Sequence, residues 1–135
     1  MTSTVKYLGD LRTEATHVKS GTSIITDAPT DNNGLGTTFS PTDLVATSLA
    51  ACAMTIMGIA AGNHNIDMVG AHAEVTKVMG SDPRRISKIV VHITMPDKVY
   101  SDKEKTILSK AAASCPVAQS LHPDLEQALN LIYAD

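Results

Sequence analysis

The chain has no tryptophan, one phenylalanine and three tyrosines, so aromatics make up only 3% of it. Bases would find little to stack on. The eleven Lys and Arg residues are scattered, with Arg84-Arg85 the only adjacent pair, and the net charge is −3. Without a basic stripe or a stacking platform, nucleic-acid binding is excluded as the main function. There is also no Cys-x-x-Cys and no His-x-x-x-His. His17, His64, His72, His92 and His122 are dispersed, so neither a zinc site nor any other metal is expected. Gly34-Leu35-Gly36 does not join a strand to a helix as a phosphate loop does, and reads as a flexible loop. Met1 to Lys6 lacks a basic segment followed by an apolar run, so no signal peptide is expected and a cytoplasmic location is. Structural disulfides are rare there. The two cysteines, Cys52 and Cys115, are then either small packed residues or redox and nucleophilic groups.

What is present suits one globular domain, residues 1–135, with 43% apolar residues to build a core. Val5–Leu8, Arg12–His17 and Thr22–Thr26 read as short strands, with turns at Gly9-Asp10 and Ser20-Gly21. Residues 27–38 read as a polar loop. Ser40-Pro41-Thr42-Asp43 then offers an N-cap serine, a proline at the first helical position and an acid three residues after the cap. The helix it opens, Leu44–Gly62, carries no charge and is apolar around most of its circumference. About nineteen residues suffice to cross a bilayer. This stretch is instead rich in Ala, Ser, Thr and Gly and lacks flanking Lys, Arg or aromatic belts. It is expected to be a central helix enclosed by sheet, at the centre of an obligate homodimer rather than in a membrane.

Two alternating segments follow. Met68–Met79 sets Val69, Ala71, Ala73 and Val75 against His72, Glu74 and Thr76. Ile86–Met95 sets Ile89, Val91, Ile93 and Met95 against Lys88, His92 and Thr94. The period of two predicts half-buried strands joined by a hairpin loop at Gly80–Pro83. Ser101-Asp102-Lys103-Glu104 is a capping box for a further helix, which Pro116 interrupts. A short helix over 116–121 follows, and Leu125–Tyr133 is taken as a final strand.

Cys52 lies among alanines inside the apolar helix. A thiol buried in apolar surroundings stays protonated unless a cation stabilises its thiolate, so catalysis here needs a positive partner from elsewhere in the chain. Arg12 is the first candidate, and its alternative reading is a solvated strand residue. Cys115, just before Pro116, stands where helix N–H groups favour thiolate, and its alternative reading is a packed residue at a helix break.

Ser40-Pro41-Thr42-Asp43-Leu44-Val45 followed by Leu49-Ala50-Ala51-Cys52 resembles the start of the central helix in the OsmC/Ohr family, the osmotically inducible and organic-hydroperoxide-resistance proteins. Cys115-Pro116-Val117-Ala118-Gln119-Ser120-Leu121 resembles that family's second motif. The resemblance implies an α+β fold, with antiparallel sheets wrapped around a long central apolar helix in an intertwined homodimer. It implies a peroxidatic Cys52, oxidised to a sulfenic acid and resolved by Cys115 as a disulfide, with Arg12 polarising the peroxide. Organic hydroperoxides are the implied substrates and an external thiol or dithiol the implied reductant, with no bound cofactor. The family's hydroperoxide reductases usually carry a Glu in the first helical turn to orient the arginine. The matching position here is Thr42, and the acid is Asp43, about 100 degrees round the helix. Asp43 is thus both a candidate site residue and a sufficient helix cap. A non-catalytic protein binding an apolar small molecule on the same scaffold, and a redox sensor, are the competing readings.

Overall fold

The computed structural model describes residues 1–134; the last residue of the expected domain, Asp135, lies outside the described residues. The chain forms two compact units, the first Met1–Val45 and the second beginning at Ala46.

In the first unit, β1 (Ser3–Gly9), β2 (Arg12–His17) and β3 (Ser23–Asp27) form an antiparallel sheet in that order. The β1–β2 turn centres on Asp10 and Leu11, one residue later than read, and both have positive φ (55° and 61°). Two left-handed central residues are what a two-residue hairpin turn of matching twist requires. β3 runs one residue further than expected, taking Asp27 into the sheet opposite Arg12. No apolar residue of this unit is fully buried; its buried side chains are the polar Thr26, Asp27 and Ser40. Helix α1 (Pro41–Asn63) begins here. Ser40 Oγ accepts from the Asp43 N–H (3.1 Å), and Asp43 Oδ2 accepts from the Ser40 N–H (2.9 Å). This reciprocal pair satisfies two N–H groups that helix geometry leaves unpaired, a stabilisation of about 1 kcal/mol.

In the second unit, β4 (His72–Gly80), β5 (Arg85–Thr94) and β6 (Glu126–Ile132) form a sheet with β5 central. β4 pairs antiparallel with β5, but β6 runs parallel to it. The expected α+β architecture is therefore observed, with a mixed second sheet where antiparallel pairing was expected. A parallel neighbour needs a long crossover. Helices α2 (Asp102–Ala113) and α3 (Pro116–Ser120) supply it. The α2 capping box forms as read, Glu104 N–H donating to Ser101 Oγ (3.1 Å) and Ser101 N–H to Glu104 Oε1 (2.9 Å). β4 begins at His72, not at Met68. Asp67 Oδ1 takes the Val69 N–H in a turn, and Gly70 has φ +97°, so the alternating pattern starts before the strand does.

The core lies in this unit. Ala46, Leu49, Ala50, Ala53, Met57 and Ala61 form one stripe of α1 at helical spacing. They cluster with Ile89, Val91 and Ile93 of β5, all fully buried, and with Leu108 and Ala112 of α2. Each large side chain buried there contributes about 1.5–3 kcal/mol. By length and composition α1 could cross a membrane. Its buried stripe makes it the core helix of a soluble fold instead.

Candidate functional site

Cys52 follows the alanine pair Ala50-Ala51 on α1 and lies at the border of the helix's buried stripe, half-buried against the core. Cys115 is fully buried. It caps α3 with extended backbone (φ −63°, ψ 144°), Pro116 takes the first helical position, and the Cys115 sulfur accepts from the Ala118 N–H at 3.3 Å. The break between α2 and α3 turns this sulfur inward. It lies near enough to Cys52, sixty-three positions earlier, for the two groups to influence one another, and both thiols are free.

Burial pushes the Cys115 thiol above its ordinary value. The Ala118 N–H pulls it down, less strongly, while the neighbouring Cys52 pushes it up again. The pull toward thiolate expected from helix N–H groups is present at Cys115, and burial opposes it. Loss of hydration outweighs what a five-residue helix can return. Cys115 is the buried member of the pair, and its burial favours the thiol form.

Arg12 and Asp43 both belong to the first unit. Arg12 stands at the start of β2, directly opposite Asp27 on β3, and its Nε donates to Asp27 Oδ1 at 2.6 Å. The Asp27 side chain is 1% exposed and that of Arg12 38%. The other carboxylate oxygen, Oδ2, accepts from the Thr37 N–H (3.1 Å) and the Thr37 hydroxyl. The Thr37 hydroxyl bond, followed by the Arg12 contact, holds the Asp27 carboxyl below the usual aspartate value against an opposing push from burial. Arg12 also lines an open hollow of about 470 Å³ with Leu11, Asn33 and Leu35. Asp43 turns one oxygen to the start of α1.

Asp27 escaped the sequence reading because it opens a polar stretch that looks like loop. The signal lay in the hairpin register: placing Ala15 opposite Ile24 sets Arg12 opposite Asp27. Among the described residues, no group of three or more His, Cys, Asp or Glu is placed to hold a metal ion.

The model of the OsmC-like protein family matches residues 34–129, which span both cysteine motifs. A candidate osmotic stress induced and detoxification response protein of Psychrobacter arcticus is 53% identical. The match covers 97% of this chain and 95% of that one, with a TM-score of 0.92. An organic hydroperoxide resistance protein of Legionella pneumophila shares the fold at 15% identity (98% and 97% covered, TM-score 0.77). So does a candidate organic hydroperoxide resistance protein of Vibrio cholerae, with captopril bound in one of its active sites, at 13% identity (97% and 91% covered, TM-score 0.75). No curated protein matches the sequence. On the family match across both cysteine motifs and the shared fold, this chain belongs to the OsmC-like protein family.

Proposed function

We propose that the chain is a thiol-dependent peroxidase that reduces organic hydroperoxides to alcohols. The observation that supports this reading is the neighbouring pair of free thiols, one half-buried and one enclosed. Cys52 attacks the terminal peroxide oxygen; the O–O bond breaks, the alkoxide leaves and takes a proton as alcohol, and Cys52 becomes a sulfenic acid. Cys115 then attacks the Cys52 sulfur. An S–S bond forms, the S–O bond breaks, and the hydroxyl leaves with the Cys115 proton as water. An external dithiol reduces the disulfide, regenerating both thiols and becoming a disulfide itself. No bound cofactor takes part in this cycle.

In this reading Arg12 stabilises the Cys52 thiolate and the developing charge on the leaving oxygen. Asp43 holds the first turn of α1 through Ser40. The working form is a homodimer in the cytoplasm. Dimerisation is supported by the exposed row Val5 and Ile24, which flank Ala15 across the first sheet, and by Ile59, 58% exposed on α1.

The test is purified protein mixed with cumene hydroperoxide and dithiothreitol. Hydroperoxide loss matched by alcohol formation is expected, absent in Cys52→Ser. Wild-type consumption no faster than that of Cys52→Ser sinks the enzymatic reading and leaves the ligand-binding and sensor alternatives.

A further inference from the structure

The sulfur of Cys115 already has a structural task. Cys115 is the N-cap of α3, and its Sγ accepts from the Ala118 N–H at 3.3 Å. A helix start leaves such N–H groups unpaired, and a side-chain acceptor at the cap satisfies one of them. Ser, Thr, Asn and Asp are the usual caps, whereas sulfur is a weak acceptor. α3 has only five residues, Pro116–Ser120, too few to hold as a helix without outside support. Its other side-chain ties involve exposed groups. Ser120 Oγ donates to Pro116 O (2.8 Å), Gln119 Nε2 to Ala113 O (3.4 Å), and Gln127 Nε2 of β6 to Ala118 O (3.0 Å). The sulfur is the tie on the inner side, on a residue that is fully buried. All of these groups, and Cys52, belong to the second unit.

We infer that the Cys115 sulfur couples the redox state of the cysteine pair to α3: as a thiol it caps the helix, and as half of a disulfide with Cys52 it leaves the cap and α3 loosens. This inference rests on the proposed pairing of the two cysteines. A disulfide has a set geometry of its own. Once it forms, Cys52 rather than the Ala118 N–H dictates where the Cys115 sulfur lies. The step itself needs no further reactant, since the sulfenic oxygen leaves with the Cys115 proton as water. The consequence is access. Cys115 is fully enclosed while α3 is capped, and Val117 and Ala118 of α3 pack against the core beside it. Loosening α3 opens the disulfide to the external dithiol in the oxidised state alone. Reduction returns the thiol and restores the cap.

The experiment is amide hydrogen exchange on the full chain, read by mass spectrometry over residues 116–121. The protein is compared after reduction with dithiothreitol and after oxidation, either with one equivalent of cumene hydroperoxide or with diamide, which takes up the two thiol hydrogens. Exchange in this segment is expected to be about fivefold faster in the disulfide form, the loss of one helix cap. Cys115→Ala, which has no acceptor, should exchange fast under reducing conditions. Cys115→Ser should exchange as slowly as reduced wild type, because its hydroxyl takes over the cap. Equal exchange in the two wild-type forms overturns the inference, and so does Cys115→Ala exchanging as slowly as Cys115→Ser. If hydroperoxide leaves the thiols intact while diamide closes the disulfide and speeds exchange, the peroxidase reading fails and the coupling stands. If neither oxidant forms a disulfide, the pairing falls and the coupling with it.

Discussion

Cys115 neighbours Cys52 from a fully buried position, and the two thiols differ in access. The inequality divides their chemistry. An enclosed thiol whose proton is held by burial is a poor first nucleophile and a suitable second one, since it needs to meet only the sulfur already beside it. Brief iodoacetamide treatment at neutral pH is therefore expected to label Cys52 before Cys115. Cys52→Ser is expected to abolish hydroperoxide consumption. Cys115→Ser should allow one oxidation and then carry the Cys52 sulfenic acid on to sulfinic acid with a second hydroperoxide, because no resolving thiol remains. Mass spectrometry after a peroxide pulse reads both. Equal over-oxidation in wild type and Cys115→Ser removes Cys115 from the cycle.

Arg12→Ala is expected to slow hydroperoxide reduction at least about tenfold, the loss of one charge-assisted hydrogen bond to the reacting groups. The same change should move the pH dependence of Cys52 alkylation upward, measured with Cys115 changed to Ser. An unmoved profile would place the activating cation elsewhere.

Acid should act through Asp27. Its folded carboxyl lies below the ordinary value of 3.8, held there first by the Thr37 hydroxyl and then by Arg12. A depressed folded value contributes stability that is fully present above the ordinary aspartate range and is lost as pH falls through the folded value. Wild type is thus expected to lose more stability than Asp27→Asn between about pH 5 and pH 2. Urea unfolding across that range checks it, and parallel curves for the two proteins refute the linkage.

The Asp10-Leu11 turn has a residue ill suited to its backbone. Leu11 has φ 61° and its side chain is 46% exposed. A leucine in the left-handed region costs about 1–2 kcal/mol, whereas Asp-Gly is the pair such turns favour. Leu11→Gly is expected to raise stability by up to about 1 kcal/mol, the backbone entropy of glycine offsetting the rest. A lowered midpoint in chemical denaturation would show that the Leu11 side chain holds more than its exposure suggests.

The first unit has a sheet with no fully buried apolar side chain, and β1 leaves Val5 and Tyr7 more than half exposed. A homodimer is expected to cover such surface. Sedimentation at micromolar concentration should give twice the chain mass, and a stable folded monomer would contradict it.

Most local features were readable from spacing alone. The two capping boxes, Ser40 with Asp43 and Ser101 with Glu104, depend on groups three residues apart, which helix geometry brings together wherever the helix sits. The burial of Ile89, Val91 and Ile93 follows from a period of two. The cysteine motifs marked the family before any coordinates. Where local chemistry overrode the pattern, the reading slipped: Asp67 and Gly70 form a turn in what looked like the start of β4. Tertiary structure alone decided the rest. The nearness of Cys52 and Cys115 depends on how α1 and the α2–α3 break pack against one core, and no spacing in the chain encodes a distance across sixty-three residues. β6 runs parallel to β5 because two helices intervene, and Asp27 becomes the partner of Arg12 only once the β2–β3 register is set. Hydrogen bonds within a helical turn follow from geometry common to all helices, whereas those between distant segments exist only after loop closure and side-chain packing have chosen one register among many.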